Sequence, residues 1–186
     1  ESGLDDVLKF MKKDHDLAQA YQAIDRLHEA GLIYDAHIMT GVAGKGRGME
    51  NAEALAQFLN RTNPAHVVNF SMFLHKEVPL YQDIRQGTFV PADELETIRE
   101  EYHLIERIAP EKAGANILYD GFHDFIHVRV RGHLPGDKEK MLAKLNGIIQ
   151  EYEGKEPVYS FVQGECPDLE YCDDGKAVWD MDRKTS

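Results

Sequence analysis

The sequence predicts an α/β fold built on a parallel sheet, and three observations carry that prediction. Over the first two-thirds of the chain, stretches with apolar residues three and four apart alternate with short apolar, β-branched runs. Their order (strand, helix, strand, helix) is that of βαβ units, whose crossover helices lie against parallel strands. Two such units in 186 residues close neither a barrel nor a doubly wound sheet. Further strands are therefore expected upstream, and the chain, which opens on Glu1 rather than methionine, reads as a piece of a longer protein.

The elements follow in order. Leu4, Val7, Leu8 and Met11 have helical spacing and predict a helix over residues 4–13. Leu17, Ala20, Tyr21, Ile24 and Leu27 form the apolar face of a second helix, 16–30, with Gly31 as its C-cap. Residues 32–40 are a strand and 41–48 a glycine-dense loop. A helix over 49–60 follows, with Ala52, Leu55, Ala56 and Leu59 on one face. Residues 66–74 form a second strand, and a longer loop holds Val78-Pro79-Leu80-Tyr81 and Gly87. Pro91-Ala92-Asp93 opens a helix to Ile108, with Asp93 and Glu94 favourable at its positive end. Its acidic residues, from Asp93 to Glu106, read as a solvated face.

From Ala109 the character changes. Short strands are expected at 117–119 and 125–130, a turn at 134–137 and a strong helix at 138–152. A strand at 158–162 follows, then a small hairpin pairing 169–171 with 177–179. A boundary near 109–115 divides the chain into residues 1–110 and a small α+β extension, 111–186.

Composition excludes several function classes. A net charge of −12 argues against binding a nucleic-acid backbone or an anionic membrane, since both need cationic surface. No apolar run approaches the roughly 20 residues that span a bilayer. The acidic opening is not a signal peptide. Two cysteines rule out a dense disulfide framework, so the expected setting is reduced and cytoplasmic.

Chemistry-bearing patterns are few. The loop Gly41–Gly48 follows a strand and precedes a helix, where backbone approach and a positive helix end suit an anionic ligand. It is not a phosphate loop, and a flexible βα turn explains the glycines as well. Ligand sites in parallel α/β sheets gather where strands end, which places Thr40, Asn69 and Ser71 as ligand-facing candidates. The alternative is that Asn69 and Ser71 are satisfied core polar groups. Asp120, His123 and His127, with His133 beyond, form the densest cluster of metal-ligand residue types, against which stands a packing or surface role. Cys166 and Cys172 fit a disulfide or two free thiols better than a metal.

The opening, Glu1 to His15, resembles the segment ESGSDEVLKxMxKGH of radical S-adenosylmethionine proteins, the group of the elongator catalytic subunit, the tRNA methylthiotransferases and the oxygen-independent coproporphyrinogen oxidases. Ala20 to Gly31 is similar to the next helix of that family. His37 to Gly44 is similar to xIMxGLPGE on its fifth strand, and Val78-Pro79-Leu80-Tyr81 to the TPLY after its sixth. The resemblance runs in order over residues 1–108. Gly132 to Lys138 is also similar to GxLPxDK of an Fe–S oxidoreductase branch.

The resemblance implies the C-terminal portion of a partial (β/α)₆ TIM-like barrel. It implies S-adenosylmethionine and a [4Fe–4S] cluster in the parent protein, and a small-molecule or macromolecular substrate. The family's cluster motif, CxxxCxxC, is absent, so this stretch alone is expected neither to hold the cluster nor to do radical chemistry. What carries over is contact with the cofactor's organic part. Glu1 and Ser2 would lie by its methionine or ribose, Ile38, Gly41 and Val42 by the adenine, and Asn69 to Met72 on the adenine side. Leu4 stands where the family has serine, which weakens polar contact at the ribose end; Asp14 for glycine and Lys45 for an acid alter local turns. Two other readings compete. One is a non-catalytic α/β module that binds or dimerises through exposed sheet edges. The other is a metal-dependent hydrolase using Asp120, His123 and His127.

Overall fold

The computed structural model describes residues 1–162. The expected hairpin at 169–179, with Cys166 and Cys172, lies outside the described residues. The elements are α1 (Asp5–Phe10), α2 (Leu17–Glu29), β1 (Asp35–Thr40), α3 (Gly48–Thr62), β2 (His66–Ser71), α4 (Pro79–Gln86), α5 (Glu94–Arg107), β3 (Ile117–His123), β4 (Val128–Leu134) and α6 (Lys138–Tyr152). The four strands form one open sheet in the order β1-β2-β3-β4. The first three are parallel, and β4 returns antiparallel beside β3. The sheet is therefore continuous across residues 109–115. The fold is α/β as expected from the alternation of periods, and among the described residues the sheet does not close.

One face of the sheet is covered. Ala36 and Ile38 of β1, Val67 of β2, Ile117 and Tyr119 of β3, and Val130 and Leu134 of β4 pack against α3, α5 and α6. The helices meet them with Ala52, Leu55 and Leu59, with Ile98, Leu104 and Ile105, and with Met141, Leu142 and Leu145. Alternate residues of each strand point to the other face. There the register aligns Met39, Phe70, Phe122 and Arg129 in one row and His37, Val68, Asp120 and Arg131 in the next. Phe70 and Phe122 stack at 5.6 Å, and the Arg129 guanidinium lies 4.7 Å from the Phe122 ring centre. No described helix covers this face.

A second apolar cluster roofs the strands' C-terminal edge: Val7 of α1, Val42 and Ala43 of the glycine loop, Met72 and Leu74 after β2, Tyr81 and Ile84 of α4, with Phe89 and Phe161. Among the described residues no helix is long and apolar enough to cross a membrane.

Several expectations need correction. Residues 79–86, expected as loop, are the helix α4. Pro79 sits in its first turn, where a missing N–H costs nothing, and Gly87 ends it at φ 73°. Helix α1 stops at Phe10, ahead of Lys12 at φ 56°. The strand expected from Leu32 begins at Asp35, and Ile33 is 84% exposed. Phe125 and Ile126, expected in a strand, belong to a 3₁₀ turn. Residues 158–162 contribute one parallel bridge, Phe161 to Leu74, instead of a strand. The face of α2 is real but only half-buried: Tyr21 rests on Phe58 at 4.9 Å, with Arg61 over its outer side.

Candidate functional site

The parallel strands end together at Thr40, Ser71 and, on β3, His123. Beyond β1 the chain turns through Gly41, Gly44 and Gly46, all with φ near +80° (81°, 81° and 83°). That left-handed geometry explains the glycines: a side chain there is strained whatever the space. At Gly41 a Cβ would also stand 2.6 Å from Thr97 Cγ2 of α5. The loop is pinned from outside by Lys45 N–H, which donates to Val90 O at 2.8 Å.

The first residues of the chain come to the same place. Met39 N–H donates to Glu1 O at 3.0 Å, on the side of β1 away from β2. Ser2 Oγ and Gly3 N–H both donate to Asn51 Oδ1, at 2.7 and 3.1 Å. Asn51 Nδ2 donates to Glu100 Oε1 at 2.7 Å, and Glu100 Oε2 accepts Gly41 N–H at 2.8 Å. One asparagine and one carboxylate thus join the opening segment, α3, α5 and the glycine loop.

Beneath the strand ends lies a buried polar layer. His123 is fully buried between two carboxylates: Nδ1 is 3.0 Å from Glu94 Oε2, and Nε2 is 3.0 Å from Glu101 Oε2. Glu101 Oε1 accepts from the Tyr119 hydroxyl at 2.9 Å and from Asn69 Nδ2 at 3.1 Å. Glu94 accepts from Ser71 at 3.1 Å and from Ser160, which the chain delivers after α6. Burial opposes the imidazolium, but its bonds to Glu101 and Glu94 outweigh burial and raise the His123 pKa to about 10. Burial pushes Glu94 up, yet the His123 bond and charge, with the two serine hydroxyls, hold it below its ordinary value. Glu100 has no such cation, and burial pushes it up to about 7.

These acids correct the expectation of a solvated acidic face on α5, because Glu94, Glu100 and Glu101 are all buried. A signal was present. Glu94 and Glu101 fall on the same stripe as Thr97, Ile98, Leu104, Ile105 and Ile108, the face that packs on the sheet.

The residues anticipated from sequence divide by where their side chains point. Ile38, Thr40, Asn69 and Ser71 face the helices and are buried. Asn69 Oδ1 accepts Thr40 N–H at 3.2 Å, so Asn69 and Ser71 are bonded core polar groups. Val42 and Met72 join the roof cluster. Gly41 lies at the loop's start, and Ser2 is buried on Asn51. Glu1 is exposed, its carboxylate paired with Lys13 at 2.6 Å. The open face belongs instead to His37, Met39, Val68 and Phe70, of which only Phe70 falls within a stretch, Asn69 to Met72, that sequence reasoning had singled out for the cofactor. The alternation of Asp35 and His37 with Ala36 and Ile38 was the available signal.

The residues of the metal reading are kept apart. Asp120 is on the open face, gripped by Arg129 at 2.6 and 2.8 Å, and Arg129 holds its carboxyl below the usual range. His123 is on the helix face, and His127 is exposed at φ 55°. Among the described residues no group of three His, Cys, Asp or Glu side chains is arranged to hold a metal ion.

No family model matches the chain, and no curated protein matches it. Among solved structures it is similar to "The archaeal Methanocaldococcus infernus Elp3 with N-terminus deletion (1-46)", with a TM-score of 0.57 and 18% identity. The match covers 81% of this chain and 34% of that one, so the chain spans about a third of that structure's length. At this identity the likeness is one of fold.

Proposed function

We propose that the chain is part of a radical S-adenosylmethionine barrel, forming a wall against the cofactor's organic half and leaving the cluster to residues elsewhere. One observation carries this reading. The residues that the sequence resemblance assigns to the cofactor, Glu1 and Ser2, Ile38, Gly41 and Val42, and Asn69 to Met72, lie toward one edge of the sheet. The first segment is joined to β1 and its loop through the Glu1–Met39 bond and through Asn51 with Glu100, and β2 is joined to β1 through Asn69. The fold likeness to archaeal Elp3 agrees with the motif resemblance to the elongator group.

The cluster does not fit this chain. The family motif needs three closely spaced thiolates, and the two cysteines, Cys166 and Cys172, do not supply it. The organic half fits better. Met39 and Phe70 offer an adenine an apolar wall on the open face, and Phe70 is 37% exposed. Ile38, Thr40, Asn69 and Ser71 act from behind, fixing the strand ends. When S-adenosylmethionine is bound at a reduced cluster it supplies a carbon radical. The residues here bind and orient.

The test is binding of S-adenosylmethionine to the cluster-loaded full protein by equilibrium dialysis. Met39→Asp is expected to weaken it at least about tenfold, or about 1.4 kcal/mol. Ile33→Asp, before the opposite end of β1, should leave it unchanged. No binding, or binding indifferent to Met39→Asp, overturns the reading.

A further inference from the structure

We infer that Glu100 is a positioning residue whose ionised carboxylate gathers the glycine loop and the opening segment into one arrangement, which a single proton loosens. This rests on the reading above only in taking this edge as the ligand site. The geometry is that of a clamp. Each carboxylate oxygen accepts one N–H: Oε2 from Gly41 at 2.8 Å and Oε1 from Asn51 at 2.7 Å. Through Asn51 the clamp extends to Ser2 and Gly3. Gly48 leaves room for it: a Cβ there would stand 2.9 Å from Oε2.

The surroundings of Glu100 make it the sensitive member of the buried layer. It is fully buried, and among the described residues no cation reaches it. From the glycine loop and α3 it meets neutral N–H donors. Arg47, at the start of α3, is engaged outward with Asp6 and Glu50. On its own helix Glu96 adds repulsion, and from β3 His123 adds a weaker attraction. His123 itself is held by Glu94 and Glu101. Burial thus dominates, and the group titrates at about 7 instead of 4.5. Protonation turns one oxygen into a donor that faces another donor, so one of the two bonds is lost. The loss falls on the glycine loop or on Asn51, and either separates segments that the ionised group joins.

The test follows the Gly41 amide and the Glu100 carboxyl carbon by NMR in the full chain, over about pH 5.5 to 8.5. Both are expected to titrate together near 7. In Glu100→Gln the Gly41 amide should stay flat. A Gly41 amide that ignores the Glu100 titration, or that titrates equally in Glu100→Gln, overturns the inference. If that variant does not fold, the paired titration in the native chain decides. S-adenosylmethionine affinity, measured on the cluster-loaded protein, should weaken below the midpoint by up to about tenfold per pH unit, the limit for one linked proton. Glu100→Gln should flatten that profile, and identical profiles in the two proteins overturn the inference. Paired titration in a protein that binds no S-adenosylmethionine overturns the functional reading and sustains the clamp.

Discussion

His123 shows how strongly one side chain can hold this molecule together. Its ring, wholly buried, separates Glu94 from Glu101 and bonds to both. Replacing it with alanine leaves two carboxylates facing each other without a cation, and breaking such a buried pair costs about 3–5 kcal/mol. A urea titration of His123→Ala should show that loss; a loss below about 1 kcal/mol, the scale of surface pairs, would mean that the imidazole carries little. The signs of the pKa shifts give a pH profile. Glu100 is raised, so its contribution is present below 4.5 and lost as pH rises to about 7. His123 is raised too, so its contribution is full below 6.5 and lost as pH rises through about 10. Glu94 is lowered, so its contribution is lost on the acid side. The urea midpoint is expected to fall steadily from about pH 5 to pH 10. Glu100→Gln should remove the fall between about pH 4.5 and pH 7, since above pH 7 the buried ionised carboxylate costs on the order of 3 kcal/mol. A midpoint that is flat over this range in the native chain would contradict these assignments.

At the scale of elements, α5 organises the site. Asp93 caps it through Glu96 N–H at 2.8 Å, and its inner stripe presents acids at one end and isoleucines at the other. Asp93→Ala should cost about 1 kcal/mol in denaturation measurements, the usual worth of an N-cap. Gly121 of β3 is the matching constraint, because a Cβ there would stand 1.8 Å from Glu101 Oε1. Gly121→Ala should therefore displace Glu101 and weaken the His123 clamp, visible as a large fall in the urea midpoint. Much of this level was legible in sequence. Helix α6 has the expected bounds and β1 ends at Thr40 as expected, whereas β2, expected to run to Leu74, ends at Ser71. What was not legible depended on neighbours. Acids on α5 looked solvated because their partners, His123, Asn51 and Asn69, arrive from elements far away in sequence. The strand residues at 38, 40, 69 and 71 lie in the C-terminal halves of β1 and β2, but period-2 alternation turns their side chains toward the helices. Helix α4 is only 8 residues long and opens on proline, so its turn-like composition concealed it.

For the molecule as a whole, the two sheet faces differ in kind. One carries the core and the buried acids; the other carries Met39, Phe70, Phe122, Arg129 and Arg131 with no described helix over them. The strand ends, the glycine loop and the opening segment converge where these faces meet. The resemblance of residues 1–108 to radical S-adenosylmethionine proteins gives that convergence its proposed purpose. The most direct test is to prepare the full protein without oxygen, count its iron, reduce it and assay S-adenosylmethionine cleavage to 5′-deoxyadenosine. About four irons and 5′-deoxyadenosine are expected, the latter diminished by Met39→Asp. A reconstituted protein that holds no iron and leaves S-adenosylmethionine intact would contradict the proposed purpose.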